Sequence, residues 1–409
     1  MLRSMDDAVS GLQAHQRWLD VIGNNIANVS TVGYKSQDLT FSQLFAQTVQ
    51  GGGAPTATQG GVNPQQIGLG VGIGSETTSE SQGALQTTGN PTDMALQGNG
   101  YFVLQQGNGG TGYTRVGTFG FDANGNLVSN GTGDKVVGWM ANGQGTLPVP
   151  NAANLQTLHI PQTSTLAPQA TTSASFDGNL DPSTATGAPG VTVPLTVYDS
   201  LGNPVTINVN LQRTAANAWA WTASGPDGAT GTGSFDFTSG GVFSAGTATG
   251  QIQLTPTDGA APMTLTPDFS GCTQDAGSST ISPQSQNGYG AGTLQSLSVD
   301  ASGVITGTYS NGHTLTLAQV AVATFPNPQG LLQASQGIYV QANNSGLAQV
   351  GVAGTGGAGT IVGGALEGSN VDLAQQFTEM IAAERGFQAN AQVVQVANTL
   401  LQTLVQLGQ

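Results

Sequence analysis

Charge is nearly missing from this chain. Only 7% of its 409 residues are Asp, Glu, Lys or Arg, where a globular chain carries about 25%. Basic residues are scarcest, at seven, and the net charge is −15. A nucleic-acid binder needs a basic footprint to displace counterions from phosphates, so that class is excluded, and anionic membrane surfaces are disfavoured for the same reason. A single cysteine, Cys272, rules out an internal disulfide and reads as a packing residue. Three histidines (His15, His159, His313) and one cysteine match no zinc spacing. No apolar run reaches the ~18 residues of a membrane-spanning helix, so no membrane insertion is expected. The first residues, Met1 to Asp7, lack the apolar stretch of a cleavable signal peptide; export would need another route. No polar constellation stands at a catalytic spacing, so neither an enzyme nor a cofactor is expected.

What the chain has in excess is glycine, 62 residues, with much Thr, Ser, Asn and Gln. At 37% hydrophobic, with apolar residues alternating with Thr, it reads as β structure with tight turns rather than as disorder. Uncharged polar groups can hydrogen-bond across a contact without repelling, which suits a surface that packs against copies of itself.

The two ends differ from the middle. Leu2, Met5, Val9, Leu12, Gln16, Leu19, Gly23 and Ile26 recur at 3-4 spacing and predict an amphipathic helix over 2–27, closing among Asn24, Asn25 and Asn28. Leu373, Phe377, Met380, Glu384, Phe387, Ala391, Val394, Asn398, Leu401 and Val405 do the same over 370–407. There Ser369 or Asn370 can cap the helix and Asp372 lies in its first turn. Val393, Val396, Leu400, Leu404 and Leu407 form a second apolar row. Gln388, Gln392, Gln395, Thr399, Gln402 and Gln406 make an uncharged flank suited to an enclosed surface such as the wall of a bore. Neither apolar stripe has a partner nearby in sequence, so the ends are expected to pair as a split coiled coil. Isolated helices are marginal in water, so this pair is expected to order fully only on assembly. Contacts repeated head to tail without closing would give a helical tube.

The fold expected is therefore multidomain: a terminal α-helical coiled coil with mainly antiparallel all-β middle domains. Its parts are 1–28 with 370–409 as the terminal domain, 29–75 as a Gly-rich extended linker, 76–150 with 286–369 as an inner β domain and 151–285 as an outer one. Asn99-Gly100, Asn108-Gly109 and Asn124-Gly125 are turn signals. Gly107 to Gly112 spells GxGxxG but runs into the strand-like Tyr113-Thr114-Arg115-Val116, whereas a dinucleotide site must open a helix. Phe119 to Leu127 and Leu297 to Ile305 share a strand, an Asp-Ala-X-Gly turn and a strand. Their Asp residues read as turn bonds rather than calcium ligands. Trp219 and Trp221, two apart, read as core.

The motif Asn24-Asn25-Ile26-Ala27-Asn28 followed by Gly33-Tyr34-Lys35, with Leu366-Glu367-Gly368-Ser369-Asn370 and Arg385-Gly386-Phe387 near the other end, resembles the flagellar axial protein family of rod and hook proteins. Gln82 to Leu96 and Gly98 to Phe102 also match. The length and Val197-Tyr198-Asp199-Ser200-Leu201-Gly202-Asn203-Pro204 favour the hook branch over the shorter rod proteins. The match is strong over about 1–150, 190–210 and 290–409, and 211–285 is divergent. The resemblance implies an extracellular homo-polymer, a curved tube acting as a universal joint that transmits torque from rod to filament. Its implied partners are rod, hook cap and hook–filament junction proteins and the flagellar type III export apparatus. A distal rod or other axial protein, or a secreted β-rich adhesin or enzyme, is the alternative.

Overall fold

A computed structural model describes residues 2–56 and 58–407, without the side chains of Leu2, Leu404 and Leu407. One helix stands at each end, α1 (Leu2–Ala27) and α2 (Leu373–Leu407), and β strands fill most of what lies between. By contacts the chain forms two compact units: residues 1–161, 297–306 and 316–409, and residues 162–296 and 307–315.

In the first unit α1 is followed by two nested antiparallel hairpins. β1 (Gln37–Gln43) pairs with β4 (Val71–Thr78), and between them β2 (Ala46–Gln50) pairs with β3 (Gln65–Gly68). The segment expected as a Gly-rich linker is thus an extended double hairpin. Gly68-Leu69-Gly70 turns from β3 into β4, and Gly70 takes a φ of +98° beside Ser10 of α1, where a side chain would collide with the Ser10 hydroxyl. The unit then adds β5 (Leu85–Thr87), β6 (Met94–Gln97), β7 (Tyr101–Gln105) and β8 (Thr111–Thr114). β7 pairs with β8 and with the strand Lys135–Met140. Residues 318–323 of Thr314–Thr324 add to the same sheet, and Ile338–Val340 joins at β8. Tyr101, Val103, Tyr113, Trp139 and Tyr339 close one core, with Phe325 edge-on to Tyr101 and Tyr113.

The second unit is an eight-stranded sheet, antiparallel except where Ser173–Asn179 lies parallel to Met263–Thr273. Period-2 alternation builds it: along Pro204–Ala215, Val205, Ile207, Val209 and Leu211 point inward and the Thr and Asn between them outward. Trp219 and Trp221 are fully buried in its core, where Phe269 stacks on Phe176 and Phe235 at 4.9 and 4.4 Å. Cys272 is buried there too, and burial pushes its thiol up to about 12, so it stays a protonated packing group.

The unit boundaries differ from the expected 151 and 285, for a backbone reason. Leu158 and Ile160 donate to Val136 and Gly125, binding 151–161 to the first unit. Asn287 and Tyr289 bond Ser173 and Gln169, carrying 286–296 into the second. The helix pair also shares a unit with the first β body. Composition marks where a chain becomes Thr- and Gly-rich, not which strand it joins.

Five-residue turns recur in both units. At Asp122, Asp199 and Asp300 the carboxylate accepts the N–H groups two and four residues on, at 2.8 to 2.9 Å. A glycine with φ of +84°, +88° or +80° completes each turn. The bonds are those of Asx turns, and among the described residues no cluster of three or more His, Cys, Asp or Glu could hold a metal. Burial pushes the Asp199 carboxyl up, but the Asn203 and Leu201 bonds outweigh it and hold it below its ordinary 3.8. Its stabilising contribution is therefore present above that value and lost as pH falls through the lower folded one. Asp199→Ala is expected to destabilise the second unit by about 1 kcal/mol at neutral pH, from the loss of part-buried charge-assisted bonds to Leu201 and Asn203. In urea unfolding the gap to wild type should close under strong acid.

Candidate assembly interface

The helices α1 and α2 pack against each other, antiparallel. Asn25 meets Gln376 (3.0 Å), His15 lies over Gly386, Gly11 over Asn390, and Ser4 shares a groove with Leu400. The first turns of the chain thereby lie beside its last.

Small residues make this contact. On α1 the buried line is Ala8, Gly11, Ala14, Val21, Ile22 and Asn25; on α2 it is Gln376, Ala383 and Ala397, with Gly386 half-buried. A Cβ at Gly11 would sit 2.8 Å from Nδ2 of Asn390. Glycine at these two crossings lets each helix accept a polar side chain of the other against its backbone.

Within the single chain the residues of the expected assembly seam divide into two sets. Met5, Leu12, Leu19 and Ile26 on α1, and Met380, Ala391, Val394 and Leu401 on α2, are half-buried flanks of the contact. Val9, Leu373, Phe377, Phe387 and Val405 face outward, as do Gln16, Gly23, Glu384 and Asn398; Phe377 is 50% and Val405 64% exposed. The side chain of Leu2 lies outside the described residues. Large residues dominate a periodicity count, whereas the closest helix contact is reached where side chains are smallest. Gln388, Gln392, Gln395, Gln402 and Gln406 are all exposed. With Ile381, Val393, Val396 and Leu400, α2 carries an apolar surface that α1 leaves open, including a groove of about 350 Å³ lined by Ser4, Ala389, Val393, Val396 and Leu400.

The other side of α1 holds the double hairpin. His15, Trp18 and Phe41 form a ring cluster with centroids 5.5 to 6.0 Å apart, and Ser10 accepts the Val71 N–H. The hairpin's far end is apolar and open, with Phe45 89% exposed.

Where the helices meet the β body, the motif residues converge. Asn25 is completely enclosed: its amide donates to the Gln37 carbonyl and to Gln376, while its oxygen accepts from Tyr34 Oη and the Gln37 N–H. Asn370 accepts the Ser36 N–H at 2.7 Å and donates to the Ser79 and Ser81 carbonyls. That occupies Asn370, and Ser369 bonds only the Val371 N–H. Asp372 is the cap of α2 instead, accepting from Ala374 and Gln375.

Between these amides lies a buried ion cluster. Glu367 Oε1 accepts from Lys35 Nζ at 2.6 Å and from the Gly83 N–H at 2.9 Å, and Oε2 faces Arg115 Nη1 at 3.5 Å. All three charged side chains are at least 97% buried. Lys35 Nζ also donates to the Ser81 carbonyl, and the Arg115 guanidinium lies over the Tyr101 ring at 5.3 Å. Burial lowers the Lys35 pKa, against the opposing pull of Glu367. In the sequence Lys35 and Glu367 stand only as letters of the end motifs. The available signal was two charges amid Gly and Tyr in a chain that carries almost none.

Four family models match the chain along its length: "Flagella basal body rod protein" at 5–35, "Flagellar hook protein FlgE/F/G D1 domain" at 95–177, "Flagellar basal body protein FlaE D2 domain" at 166–289 and "Flagellar basal body rod FlgEFG protein C-terminal" at 362–407. The flagellar hook protein FlgE of Treponema pallidum is 38% identical, and that of Borreliella burgdorferi 35%, each alignment covering all of both chains. The Escherichia coli hook protein FlgE is 35% identical over 99% of this chain and all of its own. Among solved structures, the Helicobacter pylori flagellar hook protein FlgE2 aligns at 15% identity and a TM-score of 0.44, over 68% of this chain and 98% of that one.

Proposed function

Because the chain belongs to the flagellar hook protein family, we propose that it is a structural subunit that polymerises into the tubular hook, a flexible joint carrying torque from rod to filament. The observation that carries this reading is the open apolar surface of α2. The helix pair is complete as a pair, yet Phe377, Ile381, Val396, Leu400 and Val405 stay in water. Each is 50–64% exposed, so covering one contributes about half of the ~1.5–3 kcal/mol of full burial; together they favour cover by further copies, where the pair gains its full order.

The exposed amides Gln388, Gln392, Gln395, Gln402 and Gln406 are taken as the lining of the tube's bore, where uncharged groups let an exported chain slide without being held. Few fixed charges on the β units leave subunit contacts free to exchange as the tube bends and turns. The role is structural rather than catalytic. Rod proteins at one end, and hook cap and hook–filament junction proteins at the other, are its partners after passage through the flagellar export apparatus.

The test is assembly itself. Purified chain induced to polymerise is expected to give curved tubes in negative-stain micrographs. The double variant Phe377→Ser with Val396→Ser should raise the threshold concentration at least tenfold, the equivalent of about 1.4 kcal/mol per contact set, with the melting of both β units unchanged. Tubes forming at the parent threshold would remove the apolar surface from the assembly.

A further inference from the structure

We propose that Lys35, Glu367 and Arg115 form a lock that sets the angle at which the helix pair leaves the β body, and through that angle the uniformity of the tube. The inference rests on the hook reading for its second half only.

The argument begins with scarcity. The chain has seven basic residues, and two of them are fully buried at one place against one carboxylate. Buried ion clusters add little stability over apolar side chains of the same size, because desolvation offsets their attraction. In some proteins what they supply instead is a single defined geometry, and that is the role assigned to this cluster. A chain that avoids charge elsewhere, yet encloses three here, keeps them for orientation.

Their position is the second observation. Lys35 lies eight residues after the end of α1, and Glu367 six before the start of α2. Lys35, Gly83 and Arg115 approach the same carboxylate from three different stretches of chain. Around it the Gly33 N–H donates to the Glu367 carbonyl, the Gly368 N–H to Ala84, and Asn370 spans Ser36, Ser79 and Ser81. Both helices therefore join the β body through one cluster of polar, directional bonds, and α1 is held besides by the double hairpin along Ser10, Trp18 and Phe41. An apolar joint of the same size would tolerate rotation, since hydrophobic contact has no preferred direction. These three are positioning residues: they lie away from the apolar surface of α2 and act by aiming it.

The experiment uses the full chain with spin labels at Asn108→Cys in the β body and Gln375→Cys in the first turn of α2; buried Cys272 stays unlabelled. Gln375 follows closely on the Asn370 anchor, so the parent should give one narrow distance distribution even before assembly orders the rest of the pair. Glu367→Gln should broaden it at least about twofold, since a neutral amide cannot hold two cations. The triple variant Lys35→Met, Arg115→Met, Glu367→Leu replaces the cluster with apolar bulk. It should melt close to the parent, yet give the broad distribution and tubes of mixed diameter and curvature. The exposed pair Arg17 and Glu76, 4.0 Å apart, serves as control, and Arg17→Ala should change neither readout. A triple variant with the parent's distance width and tubes of one helical symmetry overturns the proposal. So does an unchanged width in Glu367→Gln, which decides the matter if the triple variant does not fold. If the parent forms no tubes, the hook reading fails while the label distances still judge the lock.

Discussion

Deleting residues 371–409 is expected to abolish polymerisation while leaving both β units folded. The deletion removes all of α2, and with it the apolar surface of Phe377, Ile381, Val396, Leu400 and Val405. It also strips α1 of its partner along Ala8, Gly11, Ala14, Val21 and Ile22. A lone 26-residue helix without its packing face is marginal in water. The β cores contain none of these residues: those around Trp139 and around Trp219 are closed by strands and the loops between them. Sedimentation and electron microscopy should therefore find monomers at any accessible concentration. Near-ultraviolet circular dichroism should keep the aromatic signal of the buried tryptophans. Tubes from the truncated chain would mean that the β units alone carry assembly.

The second large effect is expected from one methyl group. Gly83 lies at ordinary negative φ, but a Cβ there would sit 2.0 Å from the backbone oxygen of Gly368 and 3.3 Å from Glu367 Cγ. The nearest atoms are Gly368 backbone, and the Glu367 side chain behind them is held by Lys35 and Arg115. Gly83→Ala must therefore push apart the loop and the strand Ala365–Glu367, taking the Gly83 N–H off Glu367. Overpacking costs about 1–3 kcal/mol, and loss of bonds to a buried charge a comparable amount, so about 3–5 kcal/mol is expected in denaturant unfolding of the first unit. Gly107→Ala is the control. Its site is open and its φ is not left-handed, so stability should be unchanged or rise by up to about 1 kcal/mol. Equal effects at the two sites would show that the close approach at Gly83 relaxes freely.

How much of this was legible in the sequence depends on which force placed each residue. The helices were plain, because a 3-4 recurrence of Leu, Met, Val and Phe has no other economical explanation, and α1 runs over the expected 2–27. Their facing surfaces were not. The contact is built from Ala8, Gly11, Ala14, Ala383 and Gly386, residues that weigh little in a hydrophobic pattern. Of the large residues that dominate the pattern, some only flank it, such as Met5, Leu12 and Met380, and others face outward, such as Phe377 and Val405. The core role of Trp219 and Trp221 was legible from strand alternation. The hairpins within 37–78 were hidden because glycine reads equally as linker and as strand. The Lys35–Glu367–Arg115 cluster could not be read from spacing at all: its members are separated by up to 332 residues, and only the folded chain puts them in reach.

The bond between Asn25 and Gln376 spans 351 positions, nearly the whole molecule. Closing so long a loop from a disordered chain costs about 5 kcal/mol of entropy, which two slender helices cannot supply early. Once the strands and the Glu367 contacts are in place, the ends of α1 and α2 are already neighbours and almost none of that cost remains. The stalk is thus expected to be the last piece to form, a zip whose slider is fitted only after the garment is sewn. If the chain assembles as proposed, a newly arrived copy is expected to reach its place with the body finished and the fastening still open.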